Sequence, residues 1–252
     1  IPPEKVMVLL NAVDPERFRQ RAPLPARPRR ALVFSNMAHE LTHLPMIRDA
    51  CRTAGIELDV IGFHSGSAVP EPETVLGNYD LIFAKAKCAL EAMATGAAVI
   101  LCDTAGLGGM VRSEDVPRLR RLNFGMRALG GPLSVEAILR EISLYDAEDA
   151  RTVSNLIRET ACSGPLHESL FSLYEEAMSD HARAGDDDWT TVESRAAADF
   201  IRRLMNDHRK HEASVNLLLQ GARRALGAPV IGPALTRVAN WMTKKASRGR
   251  VP

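Results

Sequence analysis

One short segment combines an isolated acid with two lysines in a setting that suits ligand chemistry. The stretch KAKCALEAMATGAAVILCD, residues 85–103, places Glu91 in the middle of an apolar helical pattern. Lys85 and Lys87 precede it, and a strand-like apolar run follows it. A buried carboxylate is costly unless something pairs with it. Glu91 therefore either points to solvent, with the lysines as ordinary surface charges, or has a partner that its neighbours do not reveal.

Polar residues also follow two other strand-like runs. Ser35 and Asn36 end the run ALVFSN, and His64 with Ser65 follows the run IELDVIGF. In open parallel sheets, ligands bind beyond the carboxyl ends of the strands. These positions are therefore candidate contacts for a nucleotide, although an ordinary turn explains His64 and Ser65 at least as well.

A glycine-rich segment, TAGLGGMV, follows the apolar run at residues 97–103. We interpret it as a turn. Gly106, Gly108 and Gly109 lack a Cβ, so backbone N–H groups there can approach a sugar or a phosphate closely. A plain tight turn requires the same glycines, and both interpretations stay open.

The segment His-Glu-Leu-Thr-His, residues 39–43, matches the zinc-protease pattern HExxH. Two histidines four residues apart on a helix can hold zinc. Here, however, the motif directly follows a predicted sheet strand, and no second metal signature follows it. We therefore predict no metal site and keep a zinc hydrolase as a minor alternative.

Residues 5–103 alternate between strand-like and helix-like patterns, which predicts an α/β fold with a parallel, doubly wound sheet. A helical run is predicted from about His39 to Ala54, ending at Gly55, and a second one through Glu91. Between residues 5 and 30 lie the apolar run KVMVLL, the turn-prone NAVDPERF and a proline-rich connector. The predicted strands are ALVFSN, IELDVIGF, YDLIFAK and AAVILCD.

The rest of the chain is mainly helical in pattern. The segments SVEAILREISLYD, DARTVSNLIRETAC and SLFSLYEEAMSDHARAG predict helices that pack on the sheet, with Ser134 as an N-cap. After the acidic break GDDDW, residues 191–227 have a long helical pattern. The tail then combines Trp241 with basic residues. We expect residues 185–252 to dock on the same domain or on a second subunit, or else to lie on an anionic membrane surface.

Composition restricts the class of partner. A formal charge of +1 argues against nucleic acid as the main partner. No run is long and apolar enough to span a bilayer. The four widely spaced cysteines form no CxxC pair and are typical of reduced thiols. We therefore expect a cytoplasmic protein, with membrane-surface contact through the basic tail as the alternative.

Four segments in order suggest a family. They are VLLNAVDPERF, the proline-rich connector, EAMATGAAVILCDTAGLGGMV and LFSLYEEAM. In this order they resemble the carboxyl-terminal half of family-4 glycosyltransferases of the GT-B fold, over about residues 5–178. The resemblance implies a Rossmann-like domain at residues 31–184. It also implies that residues 1–30 are an interdomain connector and the end of an N-terminal acceptor domain outside this chain.

The resemblance offers Glu91 a partner. It implies that this acid binds the ribose hydroxyls of a UDP- or GDP-sugar and that the start of its helix faces the diphosphate. The physics agrees, because a carboxylate accepts hydrogen bonds from two vicinal hydroxyls, and free helix N–H groups with Lys85 and Lys87 suit phosphate. Transfer would proceed with retention and without a metal or other cofactor, the leaving diphosphate being stabilised by cations and N–H groups.

The chain also departs from the family pattern. The first acid of the family's Glu-x7-Glu motif corresponds to Phe83, and Ser35 and Asn36 stand where the family usually has an arginine. The region between VIGF and YDLIF is shorter than usual. Two hypotheses follow. The chain is either the donor-binding part of a glycosyltransferase that needs an acceptor domain or a partner subunit, or a non-catalytic nucleotide-binding or assembly module.

Overall fold

The computed structural model describes residues 6–184 and 192–208, and a five-stranded sheet lies within the first of these ranges. Its strands are β1 (Arg30–Phe34), β2 (Glu57–Ile61), β3 (Leu81–Ala84), β4 (Ala98–Asp103) and β5 (Gly106–Met110). The strand order is β2-β1-β3-β4-β5. The first four strands are parallel, and β5 runs antiparallel to β4 at the edge. The predicted Rossmann-like parallel sheet with flanking helices is confirmed.

Six α-helices accompany the sheet within residues 6–184. They are α1 (Leu44–Ala54), α2 (Ala86–Ala94), α3 (Val116–Arg121), α4 (Val135–Ser143), α5 (Ala147–Thr160) and α6 (Ser163–Ala184). Residues of α1 and α4 belong to the apolar core on one face of the sheet, and residues of α2 and α5 to the core on the other. Strands β3 and β4 are buried along their whole length because both faces are covered.

Local sequence explains where several helices begin and end. Helix α1 has a proline in its first turn and ends at Gly55, whose φ of 71° is easily reached only without a Cβ. Ser134 caps α4 by accepting a hydrogen bond from Ala137 N at 3.1 Å. Asp146 caps α5 in the same way, accepting from the amides of Glu148 and Asp149.

Three expectations from the sequence are wrong. Helix α1 begins at Leu44, and residues 39–43 form turns because Pro45 suits the first turn of a helix and not its interior. The segment TAGLGGMV is mostly strand β5, since its glycines allow close pairing. Helix α6 does not pack on the sheet along its length: Phe171, Tyr174 and Met178 are more than half exposed, at 67%, 57% and 71%.

The connector, residues 10–30, packs on the domain. Val13 and Phe18 are core residues, and Val13 N donates to Ala161 O at 2.9 Å. Both backbone polar groups of Asn11 form hydrogen bonds as well. Its N–H donates to Asn123 Oδ1 at 3.0 Å, and its carbonyl accepts from Arg120 Nη1 at 2.6 Å. The apolar run before it is irregular and largely exposed over residues 6–9.

The chain forms two compact units, Ile1–Met178 and Ser179–Pro252. The second unit contains helix over residues 192–208, in agreement with the start of the long helical pattern. The remainder of that pattern and the basic tail lie outside the described residues. No helix within the described ranges combines the length and the apolar character that crossing a bilayer requires.

Arg158 on α5 joins three parts of the first unit. Its guanidinium donates to Phe18 O at 2.7 Å and Pro15 O at 3.0 Å in the connector, and to Ala94 O at 3.2 Å at the end of α2. Hydrogen bonds from a charged donor are worth more than neutral ones, and carbonyls left without a donor in a partly buried site add to the loss.

We predict that Arg158→Met lowers the free energy of unfolding by about 2–4 kcal/mol, because Phe18 O and Pro15 O lose this donor and Ala94 O keeps only the hydroxyl of Ser154. Chemical denaturation followed by circular dichroism measures the change. Arg151→Met is the matched control, since Arg151 is an exposed arginine on the same helix, and its effect should stay within about 0.5 kcal/mol. Equal effects of the two substitutions would contradict the assignment.

Candidate functional site

A cleft of about 840 Å³ opens at the carboxyl end of the parallel strands. The connection after β1 runs through α1 to β2, whereas the connection after β3 runs through α2 to β4 on the opposite side. Such a change of direction leaves a crevice between the two loops, and ligands of doubly wound sheets bind there. The cleft is lined by the end of β1, the first turns of α2, the connector, the loop at residues 69–72 and the start of α6.

Glu91 lies in this cleft and is 8% exposed. The alternative of a solvated surface acid is therefore wrong. Its Oε1 is 4.0 Å from Lys87 Nζ, and no hydrogen bond to the carboxylate occurs within the described residues. Burial raises the pKa of Glu91 above its ordinary value, while the charges of Lys87 and Arg17 act in the opposite direction. A carboxylate that is buried, weakly paired and open to a cleft is suited to accept hydrogen bonds from a ligand.

Arg17 lines the same cleft, and no motif in the sequence singles it out. Its guanidinium makes a bidentate pair with Glu73, with Nε–Oε1 and Nη2–Oε2 distances of 2.7 and 3.1 Å. This pair joins the connector to the loop after β2. Because Arg17 and Glu73 are 56 residues apart, no local spacing pattern could have revealed their contact.

The first turn of α2 faces the cleft through Lys87 and Cys88. Ala86 has a φ of 50°, which an L-residue rarely adopts, and its amide donates to Phe124 O at 2.7 Å. The amides of the following residues belong to a helix start, where no intrahelical acceptor exists, and a helix start favours anions. Burial raises the pKa of Cys88 to about 11, so its thiol is protonated at neutral pH and is a poor nucleophile.

The structure separates the two lysines. Lys87 lines the cleft and is 67% exposed, and its contact with a phosphate stays a prediction. Lys85 Nζ instead pairs with Asp103 Oδ2 at the end of β4 and lies 3.3 Å from the sulfur of Met126. The role of Lys85 at a phosphate stays a prediction, and in this arrangement its charge is already paired. Asp103 was not recognised from the sequence, since it only ends an apolar strand.

The other polar candidates divide between two places. Asn36 lines the cleft, and its Oδ1 accepts from Phe63 N at 3.1 Å. Ser35 is adjacent, and its hydroxyl oxygen accepts from Met37 N at 3.2 Å, which stabilises the turn. His64 lies instead in a separate pocket of about 380 Å³ beside His39. The structure therefore brings Glu91, Lys87 and Asn36 together and leaves His64 outside.

The histidine motif does not have the geometry of a zinc protease, which needs both histidines on one helix. His39 and Glu40 lie in turns before α1, and Glu40 pairs with Arg48 at 2.7 Å on the surface. His43 is 1% exposed and directly precedes the helix. Within residues 6–184 and 192–208, no three His, Cys, Asp or Glu side chains are grouped as metal ligands would be.

The glycines of β5 are explained by packing. A Cβ on Gly106 would come within 2.7 Å of Gly131 O, and one on Gly108 within 2.7 Å of Ala128 O. Side chains are excluded at both positions because the segment at residues 128–131 crosses against β5. Their proposed contacts with a sugar or phosphate remain a prediction.

Phe83 is fully buried inside β3, in the core shared with α1 and α4. An acid at this position would lie in an apolar core and not at the cleft.

No protein-family model and no curated protein matches this chain. The resemblance to family-4 glycosyltransferases therefore depends on its motifs and on the fold.

We predict that Glu91→Gln stabilises the fold at pH 8 and not at pH 4. Below the ordinary pKa, the carboxyl is protonated in the folded and the unfolded chain alike. As pH rises, the unfolded chain releases the proton first because burial raises the pKa in the folded state, so ionisation favours unfolding. The amide removes this cost, and the melting temperature at pH 8 should rise by about 2–4 °C.

Thermal melts of wild type and variant across this pH range measure the effect. Glu73→Gln serves as a control of opposite sign, because Arg17 lowers the pKa of Glu73. That carboxylate stabilises the fold when ionised, and its stabilisation is lost as pH falls through the lowered pKa. A Glu91→Gln variant that melts below wild type at pH 8 would rule out the assignment.

Proposed function

We propose that this chain is the donor-binding part of a retaining glycosyltransferase that takes a UDP- or GDP-sugar. The observation that carries the proposal is the buried carboxylate of Glu91, which lacks a hydrogen bond within the described residues and opens to a cleft at the carboxyl edge of a parallel sheet. Two adjacent sugar hydroxyls would satisfy both carboxylate oxygens.

In this proposal different residues of the cleft contact different parts of the nucleotide-sugar. Glu91 accepts from the ribose hydroxyls, and the first turn of α2 with Lys87 takes the diphosphate. Arg17 lies at the same cleft, where its charge is paired with Glu73. The cations and N–H groups stabilise the leaving diphosphate, so the transfer needs no metal or other cofactor.

The remaining partners follow from the same resemblance. Catalysis in the GT-B fold takes place between two domains, so the activity requires an acceptor domain or a partner subunit. We propose a cytoplasmic location, which is supported by four free cysteines, of which Cys51 and Cys102 are buried. Contact of the basic tail with a membrane surface and self-association are further proposals, whereas nucleic acid is not a proposed partner.

A non-catalytic nucleotide-binding or assembly module is the second candidate, and one observation favours it. Phe83, which corresponds to the family's sugar-contacting acid, has no exposure in the core of β3. A contact to the transferred sugar is therefore missing at this position. A chain with this change keeps a nucleotide site without the group that acts on the sugar.

We predict that UDP or GDP, or one of their sugar conjugates, binds this chain in the presence of EDTA. Isothermal titration calorimetry measures the affinity. Glu91→Gln should weaken binding by about 10- to 100-fold, because the amide can accept from only one of two hydroxyls. Lys87→Met should cause a smaller loss of about fivefold, since an exposed charge contributes about 1 kcal/mol.

Glu57→Gln is the matched control, because Glu57 is an exposed acid that begins β2 at the opposite edge of the sheet. Its affinity should equal that of wild type. Absence of binding by every nucleotide tested, in a chain that melts cooperatively, would contradict the proposed function.

Sugar transfer separates the two candidates. We expect the chain, supplied with a family-4 acceptor domain, to release nucleotide from the conjugate that it binds, and Glu91→Gln to abolish that release. Chromatographic detection of the free nucleotide measures the reaction. Tight binding without any release would favour the non-catalytic module.

A further inference from the structure

His43 is a buried histidine whose two ring nitrogens make no hydrogen bond. It is 1% exposed and lies at the start of α1, on the carboxyl side of the sheet. Burying a polar group without a hydrogen-bond partner is costly, so such groups are rare in native proteins. The residue therefore needs an explanation beyond packing.

The charges that act on His43 come from three elements. They are Asp103 at the end of β4, Lys85 between β3 and α2, and His39 in the turns before α1. Burial lowers the pKa of His43, the charges of Lys85 and His39 act in the same direction, and that of Asp103 opposes them. The imidazole is therefore neutral at neutral pH in this arrangement.

Asp103 is itself fully engaged. Its Oδ1 accepts from the backbone amide and the hydroxyl of Thr104, and its Oδ2 pairs with Lys85. The side chain is 3% exposed, whereas that of Lys85 is 30% exposed. If Lys85 moved away, a buried carboxylate would lose its cation, which is strongly unfavourable unless another donor replaces it.

We propose that Asp103 exchanges partners when a diphosphate binds: Lys85 turns from Asp103 to the ligand, and the unpaired His43 takes its place on Asp103. Lys85 stays protonated throughout and carries its charge to the phosphate. His43 takes one proton from solvent and donates it in a hydrogen bond to Oδ2. The buried carboxylate therefore keeps a cationic partner in both states, and ligand binding is coupled to proton uptake.

This exchange reconciles the location of Lys85 with its predicted role at a phosphate, and it rests on the proposed function. Lys85 immediately precedes α2, whose first turn faces the cleft. A lysine side chain has a flexible four-carbon stem, so its ammonium group can reach a different partner while the backbone stays in place. The backbone amide of Ala86 donates to Phe124 O, so the residue after Lys85 is already held in place.

The first test needs no ligand. Lys85→Met removes the competing cation, so His43 should pair with Asp103 and its pKa should rise by more than about 1 unit. Nuclear magnetic resonance of labelled histidine follows the titration, and the signal is assigned by its loss in His43→Gln. In Lys85→Met/Asp103→Asn the pKa should stay near its wild-type value.

Lys87→Met is the control, because Lys87 is exposed and its charge does not act on His43. It should leave the titration unchanged. A His43 pKa in Lys85→Met that equals the wild-type value, or that rises equally in the double variant, would overturn the exchange.

The second test uses the wild-type chain, so it does not depend on how a variant folds. Calorimetric titrations with UDP-glucose and GDP-mannose are repeated at about pH 7 in PIPES and in Tris, whose ionisation enthalpies differ. These conjugates have no phosphate that titrates near neutral pH. A binding enthalpy that depends on the buffer, with the sign of proton uptake, is expected, and His43→Gln should abolish the dependence.

The outcomes distinguish the two proposals. Binding with no proton uptake would overturn the exchange while the proposed function stands. If UDP, GDP and both conjugates all fail to bind, the proposed function fails and a diphosphate-driven exchange fails with it. Pairing of His43 with Asp103 is then decided by the titration of Lys85→Met alone.

Discussion

Burial of the second part of helix α2 is the constraint on which the candidate site depends. Residues 89–94 are buried because the helix is covered by the sheet on one side and by α5 on the other. A helix in this position presents an acid to water only where the covering elements leave an opening. The cleft at the end of β1 is that opening. Arg158 links two of the elements around it, because its guanidinium donates to the connector and to the end of α2. Packing therefore fixes the direction of Glu91 more firmly than any hydrogen bond of its own.

Much of the sheet and the position of α2 could be predicted from the sequence, because continuous β-branched runs between short helices have few other solutions. The start of α1 could not, since helical periodicity continues through His39 while Pro45 sets the boundary. Strand β5 was missed for a related reason. Its glycines have the composition of a turn, whereas antiparallel pairing with β4 makes the segment a strand, and residues 128–131 leave no room there for side chains.

The candidate site was predictable to the extent that it is local. Glu91 and Lys87 are one helical turn apart, and their neighbourhood follows from the helix alone. Tertiary contacts bring three further residues close to the site, namely Arg17, Asp103 and His43. These contacts join positions far apart in sequence, so no spacing rule predicts them. The two lysines show the same limit. They are two residues apart in sequence, yet Lys87 faces the cleft and Lys85 pairs with the buried Asp103. Lys85 does so because it directly follows β3, whose end lies beside the end of β4.

The turn at Asn123 and Phe124 has a structural consequence. Both residues have left-handed backbones, with φ of 55° and 49°, a conformation that costs energy in L-residues and persists only where the surrounding contacts hold it. One of them holds the amide of Asn11, and the other holds the amide that begins α2. These two adjacent residues therefore connect the segment that enters the domain at Asn11 with the helix start at the cleft, although Asn11 and Ala86 are far apart in sequence.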